Sequence, residues 1–378
     1  MANRKIWFGI IILVILLLAI TFVELKSFTG RTINLEKKII KVGLIIPLTG
    51  TSADAGEFIR RGSTIAVEEL NPRSKSKYEL IFEDSAYDPK KAISSYNKLI
   101  NEDKISFVIT YASSIAAALM PLANENKVIM IDSGSQSDFI SRRGDYVFRT
   151  QTSVKDEAEF FSPIIRSIVG NELLNILTIN TEYGQSVIED YSSELKLNKV
   201  NIGLIEKFDS KETDFRTFLT KINSNNPVYV LIGGNGKFSG LLIKQAKELG
   251  IDLRLFGTST SIERGEFIDI TSNLNPSVIY PYQYDSESSI QLIKDYRKKY
   301  FNKYGKENEL ISALAYDSIK MIDYCVEKNS DKSQIRGCLD DLKDFKGASG
   351  TYNLDSEGNV KKQFILKTVK NGKFERLI

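Results

Sequence analysis

From Ile39 onward, short apolar runs alternate in regular order with stretches whose apolar residues recur every third or fourth position. That rhythm predicts strands covered on both faces and joined by amphipathic helices, which is the pattern of parallel α/β sheets. The first unit offers strands at 39–47, 78–83, 106–110 and 128–132. Its clearest helix lies between the second and third: Asp88 is placed to cap it, Pro89 suits its first turn, and Ala92, Ile93, Tyr96, Leu99 and Ile100 form one stripe. The alternation pauses over 145–154 and restarts with a helix at 156–169. Strands at 173–180, 200–208, 228–233 and 253–257, with helices at 185–195, 214–223 and 237–249, make a second unit of similar size. A third stretch has helices at 289–304 and 311–327, then a hairpin-like end at 351–354 and 360–369. These last strands are too few for a domain and are expected to complete the earlier two.

The N-terminal region breaks the pattern. Residues 6–23, IWFGIIILVILLLAITFV, form an uncharged run of 18 with Arg4 and Lys5 before it. As a helix it spans roughly 27 Å, close to a bilayer's hydrocarbon core. Two fates are open: an uncleaved anchor, or a secretory signal that is removed, although no clear small-x-small cleavage site follows and no cysteine stands nearby to take a lipid. With the basic residues inside, everything after residue 30 is extracytoplasmic, and 24–38 reads as a polar tether.

Composition then removes whole classes of function. The chain of 378 residues is longer than one core usually serves, so two lobes are expected. It contains no histidine, which excludes Ser-His-Asp and Cys-His sites and histidine-ligated zinc. Lys and Arg number 51 against 48 Asp and Glu; setting aside the six bases and two acids of residues 1–38 leaves 45 against 46. A body so nearly neutral carries no footprint for nucleic acid.

Several segments in unbroken order make the reading specific. KVGLIIPLTGTSADAGEFIRRGSTIAVEELN at 41–71, EDSAYDPKKA at 83–92, YASSIAAALMPLANENKVIMIDSGS at 111–135 and YVFRT at 146–150 resemble the leucine/isoleucine/valine-binding proteins, the extracytoplasmic solute receptors of amino-acid ABC transporters. INTEYGQSV at 179–187, DFRTFLTKINSNNPVYVLIGG at 214–234, AYDSIKMI at 315–322 and FKGASGTYNLDSEGNV at 345–360 continue the resemblance. It implies a type I periplasmic-binding-protein fold: two Rossmann-like lobes joined by three crossings, with a ligand in the cleft between them. By position, lobe 1 is 39–152 with 285–361, and lobe 2 is 153–284 with 362–378. The implied function is capture of an amino acid or related small carboxylate or amide and its delivery to an ABC permease, with no catalytic residue, cofactor or metal. A ligand sensor acting on a signalling partner is the alternative.

The resemblance also nominates site residues. Ser113 follows a strand and opens a helix, where free N–H donors and partial positive charge suit a carboxylate; the other reading is that it only caps the helix. Gly134, Ser135 and Gln136 form a second strand-end loop expected to contact the ligand, with Gln136 where the family usually has threonine. Tyr183 and Tyr316 match family aromatics that pack on the ligand, though both also suit surface or core positions, and Asn235 and Ser259 lie in loops after strands. Two departures stand out. The acid that usually meets the ligand's ammonium is missing near Ser259, Glu263 being the nearest, and Ala55 replaces an aromatic. An amino group needs a counter-charge or several acceptors, so leucine specificity is not inherited.

Three smaller features remain. Residues 233–237, GGNGK, look like a phosphate loop, but the Ser or Thr required after the lysine is Phe238. The family's disulfide near the site is absent, with Tyr87 and Ala112 at those positions. Cys325 and Cys338, the only cysteines, are placed to pair outside the cytoplasm; alternatively Cys325 extends the core stripe of Ile311, Ala315, Ser318 and Ile322.

Overall fold

Continuous apolar runs become the central strands of two sheets, because a strand with helices on both faces has no polar side. The computed structural model describes Val14 and residues 37–50, 52–140, 145–223, 227–329, 331–355 and 359–377. From Ile39 to Ile378 the chain forms one compact unit. Its first part runs β1 (Lys38–Ile46), α1 (Ala53–Leu70), β2 (Ser76–Asp84), α2 (Pro89–Lys98), β3 (Phe107–Thr110), α3 (Ser113–Asn126), β4 (Ile129–Asp132) and β5 (Val147–Arg149). The second continues with α4 (Val154–Val169), β6 (Leu173–Ile179), α5 (Glu182–Leu197), β7 (Asn201–Phe208), α6 (Arg216–Ile222), β8 (Val228–Gly233), α7 (Gly236–Glu248), β9 (Leu253–Gly257), α8 (Gly265–Thr271) and β10 (Val278–Tyr282). The last comprises α9 (Gln291–Tyr304), α10 (Leu310–Lys328), α11 (Lys332–Asp340), β11 (Phe345–Gly347), β12 (Gly350–Leu354), β13 (Val360–Lys361), β14 (Ile365–Lys370) and β15 (Lys373–Arg376).

The fold is α/β with two lobes. One sheet has the order β2-β1-β3-β4-β5, and the other β15-β14-β10-β9-β8-β6-β7. The pairs β1-β3, β3-β4 and β4-β5 are parallel in the first sheet, as are β7-β6, β6-β8, β8-β9 and β9-β10 in the second, where β14 alone runs opposite to its neighbours β10 and β15. A small antiparallel sheet, β11-β12-β13, accompanies the first lobe. Helices α9 and α10 return to pack on α1. The closest approach is at Gly62, where a Cβ would stand 1.9 Å from the Ser312 carbonyl oxygen.

The chain therefore passes between the large sheets three times, at 150–153, 283–290 and 362–364. The third passage corrects the single strand predicted over 360–369. Val360–Lys361 pairs with β12, whereas Ile365–Lys370 pairs with β10 in the other sheet. Between them the Lys362 ammonium turns inward, donating to Ser349 Oγ at 2.7 Å and lying 3.7 Å above the Tyr352 ring. The link between the predicted hairpin strands 351–354 and 360–369 lies mostly outside the described residues, as does the run 6–23 apart from Val14. Among the described residues no helix is long and apolar enough to cross a membrane.

Candidate functional site

The loops leaving the C-terminal ends of β1, β2, β3 and β4 meet those leaving β6, β7, β8 and β9 across a cleft. Open parallel sheets bind ligands at this end of their strands. The cleft holds a cavity of about 270 Å³, lined from one side by Ala55, Tyr87, Tyr111 and Ser113 among others, and from the other by Tyr183, Asn235, Phe238 and Arg264 among others. That volume is just below the usual range of small-molecule pockets, which starts near 300 Å³.

On the first-lobe side, Ser113 is the first helical residue of α3 and is 4% exposed. The N-cap position belongs to Ala112, and no side chain caps this helix. The first N–H groups of α3 therefore reach the cleft without a competing side-chain acceptor, and the helix end carries roughly half a positive charge. Ala112 adopts φ +88°, and Ala86 and Tyr87 adopt φ +45° and +60°. These three non-glycine residues in left-handed backbone all line the same cavity, a clustering typical of binding sites. Tyr87 and Tyr111 stand with ring centroids 6.5 Å apart and supply aromatic surface where Ala55 supplies none.

The loop after β4 is held by Asp132, whose Oδ1 accepts from the N–H groups of Gly134, at 2.8 Å, and Ser135, at 2.5 Å. Its Oδ2 accepts from Thr110 Oγ1. Those two backbone donors are thus occupied within the loop and are not free for a ligand. Gly134 lines the cavity, and a Cβ there would stand 2.4 Å from the Tyr111 ring. Ser135 is wholly buried and lies off the cavity surface. Gln136 lines the cavity at 1% exposure, and its Nε2 donates to Glu157 Oε2 and Ser259 Oγ, both at 3.1 Å.

Across the cleft, Tyr183 is fixed by its hydroxyl, which donates to Thr258 Oγ1 at 2.7 Å and accepts from Thr260 Oγ1 at 2.9 Å. Asn235 lines the cavity while its side chain caps α7, accepting from Phe238 N–H. Phe238, in the first turn of α7, gives the cavity an apolar wall.

Besides Ser135, two nominated residues stand away from the cavity. Ser259 sits behind Gln136, its N–H donating to Glu157 Oε2 at 3.2 Å. Tyr316 faces α1 from α10, donating to Glu69 Oε2 at 2.7 Å and packing on Tyr296 at 4.8 Å between ring centroids. Its helical stripe is the buried one, so it serves the core of the first lobe. Glu263 is likewise engaged, with Lys367 Nζ at 2.7 Å and the Tyr280 hydroxyl at 2.9 Å.

Sequence reasoning passed over Asp54, Lys211, Arg264 and Glu266, all of which line the cavity. Asp54, Lys211 and Glu266 are exposed, whereas Arg264 is half-buried and lines the cavity opposite Tyr111. Burial pushes the Arg264 pKa down, but Tyr111, Glu309 and Asp54 outweigh it and hold the guanidinium firmly charged. Glu309, at the start of α10, is pushed up to about 7 by burial even though Arg264 opposes the shift.

A sequence profile described as periplasmic binding protein matches residues 39–373. The chain belongs to the periplasmic binding protein family. It is similar to the leucine-, isoleucine-, valine-, threonine- and alanine-binding protein of Pseudomonas aeruginosa, 23% identical over 331 residues covering 85% of this chain and 87% of that one. Among solved structures, a leucine-binding protein from Thermotoga maritima superimposes with a TM-score of 0.84 at 24% identity, covering 90% of this chain and 98% of that one. A solute-binding protein of an ABC transporter from R. palustris, solved with benzoate, gives 0.81 at 20% identity, covering 90% and 95%. At such identities the structural likeness establishes the fold. Periplasmic binding proteins are solute receptors, not enzymes. The leucine/isoleucine/valine-binding branch is the one these relatives represent.

Proposed function

We propose that the chain captures an amino acid or a related small carboxylate in the interlobe cleft and delivers it to the permease of an ABC transporter. The observation that carries this reading is the uncapped N-terminus of α3, with Ser113, opening into a cavity lined by strand ends of both lobes. Free N–H donors and helix polarity at one spot favour an anion, and the rings of Tyr87, Tyr111, Tyr183 and Phe238 favour an apolar body attached to it. The named ligands of the similar proteins, branched-chain amino acids and benzoate, share that chemistry.

In this reading 39–152 with 285–361 moves as one lobe and 153–284 with 362–378 as the other. Three crossings confine the motion to opening and closing, and the closed form is what a permease recognises. Residues 6–23 hold the receptor on the outer side of the membrane, an inference from their unbroken hydrophobicity. A thermal-shift screen of the full chain against amino acids, amides and small carboxylates tests the reading. A ligand at 100 times its Kd stabilises by about 2.7 kcal/mol, a clear rise in melting temperature. A panel that produces no shift at saturating concentrations sinks the proposal.

A further inference from the structure

We infer that Lys362 pins the third crossing to the first lobe and that turning of the crossing withdraws its side chain into water, so that opening of the lobes from the arrangement described here takes up a proton. The inference rests on the lobe rotation in the reading above and gives that motion a regulator.

The pin lies where the crossing has to turn. β13 keeps its first-lobe partner as far as Lys361, opposite Asn353, and β14 takes up its second-lobe partner at Ile365, opposite Tyr282. Lys362, Gln363 and Phe364 between them belong to no strand. Rotation of one lobe against the other therefore falls, in this crossing, on these three residues. Their side chains divide between the lobes. Phe364 stacks on Phe160 of α4 with ring centroids 5.4 Å apart, Gln363 is exposed, and Lys362 reaches into the first lobe. Lys361 points the other way, to Asp156 of α4 and to Asp355.

The socket that receives Lys362 is built around Asp317 of α10, a carboxylate with no exposed surface. It accepts from the N–H groups of Ala348, at 2.5 Å, and Ser349, at 2.9 Å, from Ser349 Oγ at 2.6 Å and from the Tyr352 hydroxyl at 2.8 Å. The backbone approaches so closely that a Cβ at Gly347 would stand 2.5 Å from Asp317 Oδ2. Among the described residues no Lys or Arg forms a direct ion pair with this carboxylate. Lys362 meets it through Ser349, whose hydroxyl accepts from Nζ at 2.7 Å and donates to Asp317 Oδ2. The same Nζ stands 3.7 Å from the centre of the buried Tyr352 ring, where a cation is attracted to the ring face. Two of the groups around Nζ titrate. Burial pushes the Asp317 pKa up while Lys362, Ser349 and Tyr352 pull it back, and burial holds the Tyr352 phenol well above its ordinary value.

Enclosure strips the water that solvates an ammonium and so favours the neutral amine. Burial pulls Lys362 down to about 7, even though Asp317 opposes the shift. In water a lysine titrates near about 10.4. Between these values the socketed amine is mostly neutral and the withdrawn one is charged, so turning takes up a proton. Each rise of one pH unit in that window then favours the socketed arrangement by up to about tenfold. Below the window the lysine is charged in both arrangements and the dependence ends.

Energy transfer between dyes on the full chain tests this. Lys91→Cys and Lys237→Cys place them on exposed residues near the cleft ends of α2 and α7, and the Cys325–Cys338 disulfide leaves no competing thiol. Without ligand, the transfer efficiency of this otherwise wild-type chain should be level below pH about 7 and rise from about 7 to about 10 as the lobes are held together. Lys362→Met, which carries no proton, should give a flat profile over the whole range, and Lys362→Gln is the substitute if the methionine variant does not fold. Lys362→Arg stays charged and should remain at the low-efficiency end throughout. A flat wild-type profile between about pH 7 and 10 overturns the inference whatever the variants do, and so does a neutral variant that keeps the wild-type slope. The thermal-shift screen makes no reference to Lys362, so the receptor reading and this inference can each fail alone.

Discussion

Ser113 occupies a position where a hydroxyl ordinarily caps a helix, yet the cap position is taken by Ala112 and no side chain makes that bond. Ser113→Ala should therefore leave the melting temperature of the unliganded protein unchanged. Its ligand affinity should fall about 10- to 150-fold, the loss of one hydrogen bond to a charged group. A drop of about 1 kcal/mol in stability with an unaltered Kd would assign the serine to capping instead. Strand-end positions of this kind were legible in the sequence because a strand followed by a helix places its connecting residues at one end of the sheet. Ser113, Gly134, Gln136, Tyr183 and Asn235 all reach the cavity for that reason. Tyr316 illustrates the limit: on a helix, a core tyrosine and a ligand tyrosine share the same period. Arg264 shows another, since it lies in the loop between β9 and α8, where no period exists to read. Glu157 was hidden differently, being a buried helix residue whose hydrogen-bond partners Gln136 and Ser259 arrive from distant segments.

At the scale of elements, long buried strands and amphipathic helices were readable to within a few residues, and short or interrupted ones were not. β5 has three residues, too few for a pattern. β10 contains Pro281, which argues against a strand in the interior of a sheet, although it lies between β9 and β14. The division of 360–369 between two sheets could not be read from periodicity, because alternation gives a strand its faces but not its partner, although the lobe boundary implied by the family resemblance already fell between 361 and 362. The C-terminal helices make a sharper test. Cys325 on α10 and Cys338 on α11 form a disulfide, with Cα atoms 5.7 Å apart and a sequence separation of 13. Closing a loop of that size should contribute about 2–4 kcal/mol. Replacing both cysteines by serine should lower stability by that amount in denaturant titrations, and thiol labelling of the unreduced, unfolded wild type should find no free thiol. Two labels per chain, or a variant of equal stability, would remove the bond from this account.

At the scale of the molecule, the crossings between lobes are tied to one another and to the first lobe by buried hydrogen bonds. Thr152 N–H donates to Gln283 Oε1 at 3.2 Å, joining the first crossing to the second. Arg149, 1% exposed, donates to the Ser137 carbonyl and to Asn359 Oδ1. Beside the third crossing, buried Asp317 accepts from Ser349 Oγ at 2.6 Å and the Tyr352 hydroxyl at 2.8 Å. In the proposed receptor reading, crossings fixed in this way resist sliding and permit rotation, so the strand ends that line the cleft part and meet without changing their own geometry. The regular β/α rhythm had already implied two sheets; their meeting at a single cavity depends on side chains from eight loops and could not be read from periodicity. The most direct test is a crystal structure of the chain with the tightest-binding small carboxylate. The account predicts the carboxylate about 3 Å from Ser113 Oγ and the first N–H groups of α3, with Tyr183 packed over the ligand from the opposite lobe. A ligand bound outside the cleft, or a carboxylate directed away from α3, would contradict it.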